Sequence, residues 1–267
     1  MSQYIFDEPR HIHLLNGHPM IGTTTALSVI EKPFTWWASG MACSEFGWSN
    51  AKKVKTDERI EKAQAKLDEI KAMSIGQYVS LLDKAYSAHN SSKKVAADSG
   101  IDLHSMVEDF IKKRMEGVQG ELFFPDERMR PFEEWCDNNV KRFLFSEVNC
   151  YSERLWCGGQ PDFAYEDMNG NYVLADAKSH KAAYFSDMAQ LGGYNIQLSE
   201  NGGFTEDGKK IFELKKPFKS HAVFHFGGGF TAPTISYGIE RDKNAFEYAL
   251  ALYKCRQDFD EIFKSWN

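Results

Sequence analysis

ERLWCGGQPDFAYEDMNGNYVLADAK, residues 153–178, is the stretch whose reading decides the fold. Two β-like runs, PDFAYE and YVLADAK, flank Met168-Asn169-Gly170. A three-residue hairpin loop commonly joins a type I turn to a left-handed residue, a conformation glycine adopts without a Cβ penalty. That loop pairs Asp167 with Asn171 and sets Asp162 directly opposite Asp176, with Cβ atoms roughly 4.5–5.5 Å apart. A two-residue Asn169-Gly170 turn would instead shift the register by one and send the two aspartates to opposite faces. Because strand side chains alternate, Lys178 shares the face of Asp176. The three-residue loop therefore gathers Asp162, Asp176 and Lys178 on one face of an otherwise apolar meander.

Two carboxylates so placed repel each other unless one is protonated or a cation lies between them. Oxygen ligands at this spacing suit a hard divalent ion such as magnesium or manganese. A lysine alongside can orient and help deprotonate a water, or hold a phosphate oxygen, a combination that suits phosphodiester hydrolysis. Asp and Lys two apart on a strand are more often a solvated face, so the triplet takes its weight from its neighbours.

Upstream, GIDLHSMVEDFIKKRMEG reads as a helix with Val107, Phe110 and Ile111 on its apolar side. His104 and Glu108, four apart, share one face of it. A strand from Leu144 through FSEVNCYSERL would bring Glu153 near the same site. Downstream, SDMAQLGGYNIQLSEN reads as a helix with Ser186 as N-cap and Gln190 and Tyr194 on one face. Gly192 and Gly193 each cost about 1 kcal/mol in a helix, so they are expected to let it lie close against the sheet.

The rest of the chain reads as support. IHLLNG is a strand, Thr23–Thr25 cap a short helix, and a second spans Thr35 to Phe46. Phe34, Trp36 and Trp37 around it have core spacing, with base stacking as the alternative. Two helices fill residues 51–89, a loop and N-cap fall at Asn90-Ser91-Ser92, and another helix covers 127–143. HAVFHFG and TISYGIE are late strands, after a polar loop holding Lys209, Lys210, Lys215, Lys216 and Lys219. A last helix runs from Asp242 to Ser265.

With 267 residues the chain fits one large domain or one with a helical appendage. Its apolar runs are too short to span a bilayer, and its start lacks a signal-peptide pattern. Five scattered cysteines without a CxxC pair fit reduced thiols and argue against a zinc ribbon. These features point to a cytoplasmic protein with no membrane partner. A formal charge of -6 does not suggest nucleic acid, but a local basic groove or a bound metal would offset it. No Walker-type GxxxxGK[ST] is present, so no helicase motor is expected.

Taken in order, the GIDLH helix, the strand with its Glu, the PD hairpin, DAK and the QLGGY helix resemble the PD-(D/E)XK nuclease superfamily. The likeness spans residues 22–200, with TTTALSVIEKPFTWWA also similar to a stretch such proteins carry. It is strongest to the RecB-like exonuclease branch, which includes phage-type exonucleases, the mitochondrial genome-maintenance exonuclease and CRISPR-associated RecB-like nucleases. The resemblance implies an α/β fold: a restriction-endonuclease-like core, a central mixed β-sheet flanked by helices, over residues 96–267. A mainly helical N-terminal region, 1–95, would pack on it, and the helices before residue 144 would build a wall or arch over the site, selecting a strand end.

It further implies Asp162, Asp176 and Lys178 as catalytic residues. His104, Asp162, Asp176 and the backbone carbonyl of Ala177 would ligate Mg2+ or Mn2+, and Gln190 and Tyr194 would order the site and contact DNA. Glu153 and Glu108 are lesser carry-overs. Asp176 stands where many relatives have Glu, and the shorter carboxylate still reaches a metal. Some relatives hold an iron–sulfur cluster on one early and three late cysteines; here only Cys255 is late, so no cluster is expected.

The implied activity is exonucleolytic hydrolysis of DNA from strand ends to 5′-phosphate products. A phage or accessory enzyme of recombination and repair, working in the host cytoplasm with a recombination or single-strand-binding protein as partner, fits that activity. The rivals are an endonuclease of the same superfamily, a DNA-binding recombination module without catalysis, and a metal-dependent hydrolase of a small phosphate ester.

Overall fold

A computed structural model describes residues 3–30, 34–48, 55–117, 129–227 and 229–264; within them, the side chains of 34–37, 89–102 and 261–264 are not described. The chain divides into two compact units, Met1–Ile30 with Ile101–Asn267, and Glu31–Gly100. Residues 1–30 thus go with the larger unit, not with a helical region over 1–95.

The larger unit opens with β1 (Tyr4–Asp7), β2 (Ile12–Leu15) and β3 (His18–Pro19), a small antiparallel sheet. Next come β4 (Ile21–Gly22) and the short helix α1 (Thr23–Ala26), continued by a 3-10 turn over Leu27–Val29. The smaller unit holds α2 (Phe34–Ser44), α3 (Thr56–Lys71) and the first part of α4 (Ile75–Met115). Leu81, Ala85 and Ala88 are buried there, and Lys84 pairs with Glu45 at 2.7 Å. The expected loop at Asn90-Ser91-Ser92 is absent: α4 runs through it. Ser and Asn favour caps only weakly over helix interiors, and neither lacks the N–H that proline would. The side chains of Phe34, Trp36 and Trp37 lie outside the described residues.

After α5 (Met129–Asn139) the chain enters β5 (Val140–Ser146), so 140–143 are strand rather than helix. β5 ends at Glu147, which has φ +41°, and the chain leaves for a second sheet through β6 (Cys150–Ser152) and β7 (Cys157–Gly159). FSEVNCYSERL is therefore two strands in two sheets; β7 pairs antiparallel with β6 and parallel with β4. Then come β8 (Phe163–Asp167), β9 (Tyr172–Lys178), α6 (Phe185–Asn201), the hairpin of β10 (Gly203–Phe204) and β11 (Lys210–Phe212), β12 (Phe218–His225), β13 (Thr234–Ser236) and α7 (Ile239–Lys264).

The principal sheet has the order β13-β12-β9-β8-β5. Only β12 and β9 run parallel, joined across α6; the other neighbours are antiparallel. Its two faces are both covered, as expected for a sheet with a helical crossover. Phe163, Tyr165, Val173, Ala175 and Phe224 point to one face, where Leu103, Val107, Phe110 and Ile111 of α4 and Met129 and Phe132 of α5 meet them. Ala164, Tyr172, Leu174 and Val223 point to the other, under Leu191, Tyr194 and Leu198 of α6. The glycines of α6 do not face the sheet. A Cβ on Gly192 would collide with the main chain of Asp242, and one on Gly193 with the Phe246 ring, so this pair seats α7 against α6.

Among the described residues no helix is long and apolar enough to cross a membrane.

Candidate functional site

The hairpin adopts the register with the three-residue loop. Phe163 pairs with Ala175, Ala164 with Leu174, Tyr165 with Val173 and Glu166 with Tyr172. Asp167 N–H donates to Asn171 O at 2.9 Å, and Gly170 takes φ +79°. The loop is held from within: Asp167 Oδ1 accepts from the N–H groups of Asn169 (2.9 Å) and Asn171 (2.8 Å), an Asx turn that favours this length. Continued one residue past β8, the same pairing sets Asp162 opposite Asp176.

Both aspartates share the parity of Ala164, Tyr172 and Leu174, and so emerge on the α6 face at the end of the sheet, with Lys178 two residues on. Asp162 Oδ2 accepts the Ala177 N–H at 2.7 Å, prolonging the ladder by a side chain. Lys178 Nζ stands 2.6 Å from Asp176 Oδ2. Asp176 is 1% exposed, and no hydrogen bond of good geometry reaches that oxygen. His104, from the helix over the opposite face, brings Nδ1 to 3.4 Å from Asp162 Oδ2.

The electrostatics are strained. Burial and the neighbouring Asp176 charge drive the Asp162 carboxyl well above the usual carboxylate range, against Lys178 and the Ala177 N–H. Burial lowers His104, and the nearby carboxylates only partly offset it. Burial opposes charge on Lys178, yet Asp176 and Asp162 hold its amine above the ordinary value. Without a cation the site thus keeps a proton on Asp162 and a charge on Lys178.

Glu147 is the residue the sequence did not disclose. Its N–H donates to Asp162 O at 2.6 Å. Burial, Glu108 and Asp162 push its carboxyl up to about 7. A positive φ at a non-glycine residue marks a conformation held by its surroundings; a strand pattern gives no hint of it. Glu108 sits one helical turn past His104 and is paired with Lys112. Glu108, Lys112, Glu147 and Gln160 line a groove of about 440 Å³ beside the site.

Glu153 is placed elsewhere. It is an exposed residue in the turn between β6 and β7, because the strand expected to deliver it breaks at Glu147. Gln190 and Tyr194 are close but buried: Gln190 Nε2 donates to the Tyr194 hydroxyl at 2.8 Å, and the ring lies on Gly159 where a Cβ has no room. Asp176 and Asp162 both raise the Tyr194 hydroxyl further above its burial-shifted value, as expected for a ring close to the two carboxylates. The α6 cap is Tyr184 rather than Ser186, its N–H donating to Asp187 Oδ2 at 2.7 Å.

A hard divalent cation fits the donors in kind. It would add a second cation beside the buried Asp176 carboxylate and relieve the repulsion that protonates Asp162. Among the described residues no three His, Cys, Asp or Glu side chains form a ready-made metal cage. Magnesium, which keeps several waters and takes one or two carboxylates, does not need one. Neither the protein-family models nor the curated proteins compared with this sequence match it.

Proposed function

We propose that this chain is a metal-dependent deoxyribonuclease of the PD-(D/E)XK superfamily, of RecB-like exonuclease type, hydrolysing phosphodiester bonds from strand ends to 5′-phosphate products. The observation that carries the reading is the convergence of Asp162, Asp176, Lys178 and His104 at one end of the sheet, on the register that the three-residue loop dictates. The order α4, α5, β5-β8-β9, α6, β12, with β12 parallel to β9, supports a restriction-endonuclease-like core.

Asp162, Asp176, His104 and the Ala177 carbonyl would hold Mg2+ or Mn2+. The bound ion supplies Lewis acidity to a phosphate oxygen and lowers the pKa of a water. Lys178, paired with Asp176 at 2.6 Å, is placed to orient a phosphate oxygen or the attacking water. Tyr194 and Gln190 close the rear of the site against water. Glu108 lies on the groove beside it, and Glu147 joins it there.

The test follows end-labelled single-stranded, duplex and covalently closed circular DNA, in magnesium and in chelator. Linear DNA should shorten from its ends only with the metal, and Lys178→Ala should slow this by at least about a hundredfold. Rapid cutting of the closed circle would shift the reading to an endonuclease. Undiminished cleavage in chelator or in Lys178→Ala, or no cleavage of any DNA, would overturn it.

A further inference from the structure

The loop between β9 and α6 carries groups that the hydrolytic site does not use. Residues 180–185, HKAAYF, begin two positions past Lys178 and set His180 and Lys181 just before the aromatic pair Tyr184 and Phe185. Tyr184 is 42% exposed and Phe185 60% exposed. Single exposed rings are ordinary on a protein surface; these two are adjacent and stand on a main chain fixed at both ends. At one end, Lys178 O and His180 O accept the N–H groups of Phe226 (2.9 Å) and Gly227 (3.1 Å). At the other, Asp187 Oδ2 takes the Tyr184 N–H at 2.7 Å and meets His180 Nε2 at 3.2 Å. The His180 and Tyr184 rings contact edge-on, with centroids 4.8 Å apart. Lys181 is exposed and forms no ion pair among the described residues.

We propose that this loop is a base-stacking platform for a single-stranded nucleic-acid end, with Tyr184 and Phe185 taking the faces of successive bases and Lys181 pairing a flanking phosphate. The inference rests on the nuclease reading for why a strand should pass Lys178, and deepens it by making the substrate single-stranded at the site. In a duplex the base faces cover one another; only unpaired bases offer theirs to a protein ring. Ring–base stacking tolerates any sequence, which suits an enzyme that must pass along a whole strand. The exposed cation three residues before Tyr184 and the short tether to Lys178 favour a polyanion over an apolar protein surface.

Fluorescence anisotropy of a labelled thymidine oligonucleotide, with calcium replacing magnesium, tests the platform. Phe185→Ala, which leaves the Tyr184–His180–Asp187 contacts in place, should weaken binding roughly tenfold, and Tyr184→Ala/Phe185→Ala roughly a hundredfold. Phe185→Trp should bind as tightly as the parent. Two successive abasic positions in the oligonucleotide should cost the parent as much and the double variant nothing more. Lys181→Ala should reduce the slope of log affinity against log salt by about 0.7. Blunt duplex binding should barely change. Circular dichroism and a thermal midpoint check that the variants fold.

The platform is overturned if the double variant binds the oligonucleotide like the parent. It is equally overturned if that variant changes the sedimentation of the protein while oligonucleotide binding is intact, which would make the rings a protein contact. Binding through the rings without any magnesium-dependent cleavage would leave the platform standing and sink the hydrolytic reading, so the two failures are distinguishable.

Discussion

Asp242 and Asp162 are both aspartates drawn into the protein beside a histidine, and their surroundings treat them in opposite ways. Asp242 lies in the first turn of α7, where the helix dipole favours negative charge. Its Oδ2 meets His221 Nδ1 at 2.9 Å and accepts the Ser236 hydroxyl at 2.6 Å, while Oδ1 accepts two Arg241 N–H groups at 3.0 and 2.8 Å. The far nitrogen of His221 meets Asn195 Nδ2 at 2.9 Å. Burial pushes the Asp242 carboxyl up, but these partners outweigh it and hold it below its ordinary value. Asp162 has a more distant histidine, one main-chain donor and a second carboxylate across the hairpin, and is driven the other way. The first cluster ties β12, β13, α6 and α7 together; the second stores a repulsion that a cation would release. Satisfied buried charge reads as architecture, and frustrated buried charge in an opening reads as chemistry.

The comparison breaks most visibly in stability. Asp242→Ala strands the groups around it and should cost about 3–5 kcal/mol in urea unfolding. Asp162→Asn keeps an oxygen for the Ala177 N–H and replaces a carboxyl whose ionised form burial and Asp176 already disfavour, so in chelator it should unfold no more easily than the parent. Equal losses in the two variants would erase the distinction.

A second buried histidine sharpens the point. His13 is 4% exposed and has no carboxylate partner among the described residues; it meets the Tyr4 hydroxyl at 2.7 Å, packs on Phe6, and has His11 nearby. Burial, then His11, lowers its pKa from 6.5 to about 4. The folded state binds its proton less readily than the unfolded state does. The contribution is therefore full above pH 6.5 and is lost as pH falls towards 4. This amounts to about 3 kcal/mol. Urea titrations of the parent and His13→Gln should differ in slope across that window and run parallel above it; parallel curves throughout would show that His13 does not titrate there.

Metal binding separates the clusters without reference to turnover. At a hundredfold excess over its dissociation constant, magnesium should stabilise the parent by about 2.7 kcal/mol. Asp162→Asn should lose most of this shift, while Asp242→Asn, where it folds, should retain it. A shift that survives Asp162→Asn would place the ion elsewhere.

Much of the hairpin was legible because its determinants are local: Gly170 ends the loop and Asp167 braces it, three and four positions from their partners. The strand alternation then delivers Asp162, Asp176 and Lys178 without further information. Glu147 was not legible, since FSEVNC alternates like a continuous strand and nothing in it signals the positive φ that ends β5. Tyr4 and Phe6 belong to a strand too short to register beside the charged residues that follow. Asn90-Ser91-Ser92 looked like a break because those side chains favour caps, a preference too weak to interrupt a long helix. The Asp242 network was invisible for another reason: His221, Ser236 and Asn195 are assembled only by tertiary structure.

The glycines of α6 show the same limit, and they bear on how the satisfied cluster is built. Two adjacent small residues in a helix signal close approach, but not what approaches. The sheet was the expected neighbour; α7 is the actual one. Gly192 faces the main chain of Asp242 itself, and Gly193 faces the Phe246 ring. A methyl group at either position gains about 1 kcal/mol of helix preference. At Gly192 it must push the start of α7 away, stretching the bonds that Asp242 makes to His221 and Ser236, an overpacking cost of about 1–3 kcal/mol. At Gly193 it meets the buried Phe246 ring, a side chain rather than the main chain of α7. Gly192→Ala should therefore lower the urea midpoint more than Gly193→Ala, and combining it with Asp242→Ala should cost less than the two losses added, since neighbouring sites couple. Strict additivity would mean that α7 reaches its place without the help of Gly192.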